Sequence, residues 1–134
     1  YYIVAQILGA LIGAILLKLA INTDIDLAVN TYTGSSMQAF LMEMIMSAFL
    51  VFMVSSMVTD TRASSSFAAI AIGSVIAIDA LVGGPITGAS MNPARSIGPA
   101  IISGQFEHIW VYITAPILGG IIGSSLYCFI GCQK

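Results

Sequence analysis

Four long apolar runs set the limits on what this chain can fold into. They cover residues 1–21, 37–58, 67–82 and 109–130. Because a helix crosses a bilayer with about 20 apolar residues, each run is long enough, or nearly so, to span it. Only 7% of the residues are charged, whereas a soluble domain carries roughly 25%. The sequence therefore predicts an all-α, multi-pass integral membrane protein with four transmembrane helices in contact with the lipid bilayer.

The charged and sulfur-containing residues exclude other classes. Four basic and six acidic side chains give a net charge of −2, which provides no basic surface for nucleic acid. Cys128 and Cys132 lie one helical turn apart near the end of the chain. A single pair at this spacing is typical of small apolar residues in a helix and does not indicate a metal site. We expect no metal, no cofactor and no nucleic-acid partner.

A polar, glycine-rich stretch separates the third and fourth apolar runs, at residues 83–96. Within it, Asn92 is a favourable residue for capping a helix N-terminus, and Pro93 suits the first helical turn. Gly104 then favours a helix end. The sequence predicts a half-helix over residues 92–102, which is too short to cross a bilayer.

Such a half-helix has a physical consequence in a membrane. Irregular backbone at membrane depth is tolerated only where it is buried in protein or lines a watery cavity. The N–H groups and the positive dipole end of the helix then favour neutral or anionic solutes and oppose cations. Arg95 adds a permanent charge about one turn into the helix, and an intramembrane charge indicates a functional site. We therefore expect a re-entrant half-helix that lines a pore.

Residues 84–96 read Gly-Pro-Ile-Thr-Gly-Ala-Ser-Met-Asn-Pro-Ala-Arg-Ser and are followed by Ile-Gly-Pro-Ala. This string resembles the second signature loop of the aquaporin, or major intrinsic protein, family, and most of all its plant nodulin-26-like branch. The resemblance extends over residues 1–130 but covers only part of such a protein. It implies a passive channel, not an enzyme, for water, glycerol, urea, boric acid or arsenous acid. It also implies a homo-tetramer of the full-length protein in the plasma membrane or an endomembrane.

An internal repeat supports the same architecture. Residues 2–13 and 112–123 are identical at eight of twelve positions with a constant offset of 110. Each copy holds a Gly-x-x-x-Gly, which lets helices approach closely, and the two copies run in opposite senses, as in inverted-topology repeats. We expect residues 1–134 to be part of a six-helix bundle. Residues 1–21 would be the last helix of its first repeat and residues 37–130 its second repeat.

The resemblance assigns roles to particular side chains. The pore and selectivity positions that can be carried over are Asn92, Pro93, Ala94, Arg95, Ala80 and Ala89. Asn92 would donate hydrogen bonds to a passing solute, whereas Ala80, Ala89 and Arg95 would form three of the four filter positions. Two alanines leave that filter wide and apolar, which suits small polyols and hydroxylated acids. Asp79 departs from the branch, which usually has Asn there.

Other polar residues are expected to support the loop. The expected supporting residues are Glu43, Gln6, Gly88 and Ser90. We expect Glu43, in the second apolar run, to accept hydrogen bonds from loop N–H groups that would otherwise lack partners, in preference to acting as a proton relay. Gln6 is expected to play a similar part.

The orientation follows from a few charges. Arg62 and Lys134 fall on one side of the predicted spans, and Asp24 and Asp26 fall on the other. The positive-inside rule then places the C-terminus in the cytosol.

Three alternatives remain beside a channel. A non-conducting membrane polypeptide could pair with full-length channel subunits, and we expect this chain alone to conduct poorly. An intramembrane serine protease would use Ser90 and His108, but His108 does not lie within an apolar span. A secondary transporter would need ligands for a coupling ion, and Glu43 and Asp79 are the candidates.

Overall fold

The computed structural model describes residues 1–21 and 28–131, and these form five helices and no strand. The helices are α1 (Tyr2–Ile21), α2 (Ser36–Val58), α3 (Ser65–Thr87), α4 (Pro93–Ser103) and α5 (Ile109–Gly131). All except α4 are long and apolar enough to cross a membrane. The predicted all-α class with four spans and one short helix is thereby confirmed.

Part of the orientation argument lies outside the described residues. This applies to Asp24, Asp26 and Lys134, and Cys132 also lies there. A cytosolic C-terminus therefore stays a prediction.

The long helix α2 forms the centre of the bundle. It packs against α3 and α5, and α4 packs against α1 and α5. The contact between α2 and α5 is a backbone contact: a Cβ atom on Gly119 would overlap the carbonyl oxygen of Met44, and one on Gly123 would overlap that of Ala48. Only glycine allows this approach, so the Gly-x-x-x-Gly of the second repeat copy acts as the sequence predicts.

The first repeat copy packs differently. Among the described helices, α1 packs against α4 alone. Its contact point is Gly98 of α4, where a Cβ atom would lie 2.6 Å from the backbone carbon of Ala10. Gly9 and Gly13, the counterparts of the two α5 glycines, have no described atom within 4 Å of their Cβ positions. Helix α1 therefore presents an open small-residue face.

The predicted end of the third span at residue 82 is wrong, because α3 continues to Thr87. Pro85 lacks an N–H group and removes one hydrogen bond of the helix, but it does not end it. The helix stops at Gly88, whose φ of 76° is left-handed and whose N–H donates to the carbonyl of Gly84 at 2.9 Å. Within this last part of α3, the missing side chain of Gly83 leaves room for Met46 of α2.

A charged pair closes the turn between α2 and α3, outside the spans. Arg62 Nη2 lies 2.6 Å from Asp60 Oδ2, and Asp60 Oδ1 accepts the backbone N–H of Arg62 at 2.9 Å. Hydrogen bonding to Arg62 holds the pKa of the Asp60 carboxyl well below its usual range. The stabilisation that this pair gives to the folded protein is lost only as the pH falls through the lowered pKa of Asp60. The pair therefore persists into acid conditions.

Candidate functional site

The segment between α3 and α4 has an unusual backbone. Gly88, Ala89 and Met91 all have left-handed φ angles, of 76°, 44° and 53°. For a residue with a Cβ atom this conformation is unfavourable by roughly 1–2 kcal/mol. The N–H groups of Ser90 and Met91 then have no backbone acceptor, so these two donors need acceptors from elsewhere.

Glu43 of α2 supplies those acceptors. Its Oε1 atom accepts from the backbone N–H of Ser90 at 2.9 Å and from the Thr87 hydroxyl at 2.7 Å. Its Oε2 atom accepts from the N–H of Met91 at 2.8 Å. The side chain is fully buried, and both of its oxygens are occupied. These contacts leave Glu43 poorly placed to relay protons or bind a coupling ion, and its support of the loop in the channel stays a prediction.

Asn92 caps the half-helix. Its backbone is extended, and its Oδ1 atom accepts from the N–H of Ala94 at 3.0 Å, with Pro93 in the first turn. Because this bond fixes which side of the amide accepts, the Nδ2 group is left as a donor. It makes no hydrogen bond to any described residue. The arrangement offers free N–H donors at the positive end of α4.

Two serines join the loop to the half-helix. The Ser90 and Ser96 hydroxyl oxygens lie 2.5 Å apart, and Ser90 Oγ also donates to the carbonyl of Asn92 at 2.9 Å. His108 contacts a different side chain, the ring of Tyr32, with centroids 4.4 Å apart. The structure therefore does not bring Ser90 and His108 together as a nucleophile and base.

Arg95 is held by three oxygen atoms. Its guanidinium donates to the carbonyls of Ala28 at 3.0 Å and Gly88 at 3.4 Å, and to the side-chain oxygen of Asn30. No carboxylate is among these partners, so the positive charge is not neutralised by direct pairing. Sequence reasoning missed Asn30, because it lies in a polar loop and carries no motif.

One groove collects most of the predicted pore residues. It has a volume of about 490 Å³ and is lined by Ala80 of α3 together with Ala89, Asn92 and Arg95. Its other lining residues are Leu50, Ile76, Gly84, Gly88, Ser90 and Met91. The four predicted filter and donor residues thus line one groove, with contributions from α3, the loop after it and α4.

The remaining predicted residues lie elsewhere. Ala94 lines a second groove of about 400 Å³ between α1 and α4, to which Asn92, Arg95 and Gln6 also contribute. Pro93 lines neither groove. Gln6 is exposed on α1 and makes no hydrogen bond within the described chain. The structure therefore does not place Gln6 on the backbone of the 88–91 loop.

Asp79 is buried in protein and does not line the groove that Ala80 lines. Its Oδ2 atom has no hydrogen-bond partner among the described residues. Among the described residues, no group of three or more acidic, histidine or cysteine side chains is placed to hold a metal ion.

We expect Asp79→Leu to raise the free energy of unfolding by about 1–3 kcal/mol, because it removes a buried polar group that lacks a partner. Thermal unfolding in detergent measures the change. Asp79→Asn is the matched control. Its free energy of unfolding should rise less, since the substitution keeps a polar group of the same shape. A loss of stability in Asp79→Leu would contradict the expectation.

Four apolar spans, together with a short capped helix, identify the chain as an integral membrane protein. The major intrinsic protein profile matches residues 1–127, and the chain belongs to that family. It is 46% identical to nodulin-26 of Glycine max over 94% of this chain and 47% of the relative. It is 45% identical to aquaporin NIP3-1 of Arabidopsis thaliana, over 99% of this chain and 44% of the relative. It is 40% identical to aquaporin NIP1-1 of Zea mays, over 96% of this chain and 46% of the relative.

The resemblance to the nodulin-26-like branch is confirmed by these relatives. The chain spans less than half the length of each of these three relatives.

Proposed function

We propose that this chain forms part of a passive transmembrane channel for small neutral solutes, such as water, glycerol, urea and metalloid acids. The observation that supports this best is the groove that joins Ala80, Ala89, Asn92 and Arg95. The names of the relatives, which include several aquaporins, support the same class of function.

In this proposal the solute is selected by hydrogen bonding and charge, and no covalent bond is made or broken. A hydroxyl or carbonyl oxygen in the groove accepts from the free Nδ2 group of Asn92 and from the Arg95 guanidinium. Ala80 and Ala89 offer space and no polar group, so a solute wider than water can pass. The helix dipole and the unpaired charge of Arg95 repel cations.

We further propose how the chain is placed in the complete channel. Residues 1–21 form the last helix of the first repeat, and residues 37–130 form the second repeat with its half-helix at 92–102. The assembly is a homo-tetramer in the plasma membrane or an endomembrane, with a cytosolic C-terminus. The groove is open along one side, and a second half-helix supplies the closing wall.

A second candidate is a non-conducting polypeptide that pairs with full-length channel subunits. The observation that favours it is the open face of α1, where Gly9 and Gly13 have no described neighbour. A helix packed there would lie beside the groove between α1 and α4, to which Gly13 contributes. Reconstituting the 134-residue polypeptide alone in vesicles tests the second candidate, because glycerol uptake that Asn92→Asp abolishes would contradict a non-conducting polypeptide.

In the complete channel, Arg95→Val is expected to admit larger and charged solutes, because it removes the fixed charge and the bulk of the filter. We expect the sodium-to-glycerol permeability ratio to rise by about tenfold or more, equivalent to roughly 1.4 kcal/mol. Stopped-flow light scattering and reversal potentials measure it. Arg62→Val, at the other arginine of the sequence, is the control and should leave the ratio unchanged. Unchanged selectivity in Arg95→Val would count against the filter role.

A further inference from the structure

Asn30 is the polar side chain that joins most parts of the site. It is 6% exposed and lies in the segment before α2. Its Oδ1 atom accepts from Arg95 and, at 2.8 Å, from the hydroxyl of Ser96. Its Nδ2 atom lies 3.5 Å from the carbonyl oxygen of Thr87, to which it donates. One amide thus contacts the end of α3, the filter arginine and the half-helix.

These contacts fix the orientation of the amide. A Cβ atom on Gly88 would lie 2.7 Å from Asn30 Nδ2, so the left-handed glycine at the end of α3 packs directly on it. With Nδ2 directed to the Thr87 carbonyl, the Oδ1 atom faces Arg95 and Ser96. The acceptor offered to the guanidinium is therefore held in place before any solute arrives.

The chemistry of this acceptor matters as much as its position. The other two oxygens that bind Arg95 are backbone carbonyls, of Ala28 and Gly88. Asn30 is the only side chain among the described partners of Arg95, and it is neutral. A neutral acceptor holds a guanidinium without cancelling its charge, whereas a carboxylate would form an ion pair with it.

We propose that Asn30 is the positioning residue of the filter: it holds the Arg95 guanidinium against the groove wall while leaving its positive charge unpaired. This inference rests on the proposed channel function. It assigns to Asn30 two separable effects, one on the position of the guanidinium and one on the charge that solutes meet.

Two substitutions separate these effects in the complete channel. Asn30→Ala removes the side-chain acceptor, so the guanidinium leaves the wall more often and obstructs glycerol without admitting sodium. Asn30→Asp keeps an acceptor but pairs the charge, and we expect the sodium-to-glycerol permeability ratio to rise by about tenfold or more. Thr31→Ala is the matched control, since the neighbouring Thr31 is exposed and does not bind Arg95.

A double-mutant cycle tests whether Asn30 acts through Arg95. In an Arg95→Val background, Asn30→Ala and Asn30→Asp should cause no further change in the permeability ratio. If Asn30 only stabilised the loop, its substitution would change the ratio equally in both backgrounds, and that result would overturn the proposal.

A chemical measurement tests the positioning without any need for transport. Phenylglyoxal modifies arginine side chains, and mass spectrometry of the two arginine-containing peptides gives each rate. Losing a charge-assisted hydrogen bond should raise the rate at Arg95 by roughly tenfold in Asn30→Ala. Arg62, paired with Asp60 at the far end of α2, is the internal control and should react at one rate in every variant.

The two measurements distinguish the possible failures. If Arg95 reacts faster in Asn30→Ala but the wild-type channel passes no neutral solute, the positioning role stands and the proposed function fails. If wild type conducts and Arg95→Val alters selectivity, but the Asn30 variants match wild type in both labelling and permeability, the inference alone fails.

Discussion

Replacing Glu43 with alanine is expected to unfold the 88–91 loop and to abolish solute flux. The substitution leaves the N–H groups of Ser90 and Met91 and the Thr87 hydroxyl without the carboxylate that they now bind. Hydrogen bonds to a charged group contribute about 1.5–3 kcal/mol each, so we expect a loss of about 3 kcal/mol or more. The loop also contains the left-handed residues Ala89 and Met91, and the N–H group of Met91 is one of those that the substitution releases.

Thermal unfolding in detergent and glycerol flux in vesicles measure the effect, and the unfolding midpoint should fall by about 10 °C or more. Glu43→Gln should be intermediate, because its one oxygen can still serve Ser90 and Thr87 while its NH₂ group meets the Met91 donor. Glu107→Gln removes an exposed carboxylate outside the helices and is the matched control, with a change within about 0.5 kcal/mol. Wild-type stability and flux in Glu43→Ala would contradict the proposed support role.

The half-helix could be predicted because its signals are local. Asn92 caps the helix, Pro93 occupies the first turn and Gly104 ends it, and each acts through its own backbone conformation. The buried role of Glu43 could also be predicted, because a carboxylate in an apolar span needs donors and the glycine-rich stretch offers them. These inferences need little knowledge of the packing.

The end of α3 and the partners of Arg95 could not be predicted, because they depend on packing. Gly83 and Gly84 have low helix propensity, yet α3 continues through them to Thr87, and Gly83 lies against Met46 of α2. Asn30 is 65 residues from Arg95 along the chain, and a single asparagine in a polar loop resembles any turn residue. Only the folded structure shows that it binds Arg95.

The internal repeat leads to the second large expected effect. Gly123→Val should destabilise the chain by about 3 kcal/mol or more, because the new Cβ atom meets the backbone of Ala48, which cannot yield as a side chain could. The equivalent substitution in the first copy, Gly13→Val, provides a matched control with the same change of residue. In the 134-residue polypeptide Gly13 has open space around its Cβ position, so we expect a change within about 0.5 kcal/mol.

The same pair of variants tests the proposed inverted repeat in the complete channel. If α1 is the last helix of a first repeat, a helix equivalent to α2 packs on its glycine face as α2 packs on α5. Gly13→Val should then destabilise the complete channel about as much as Gly123→Val, by about 3 kcal/mol or more, although it is silent in the shorter polypeptide. Thermal unfolding of both variants in both proteins measures this. A silent Gly13→Val in the complete channel would mean that the repeat in sequence is not a repeat in packing, and that the α1 face meets lipid instead.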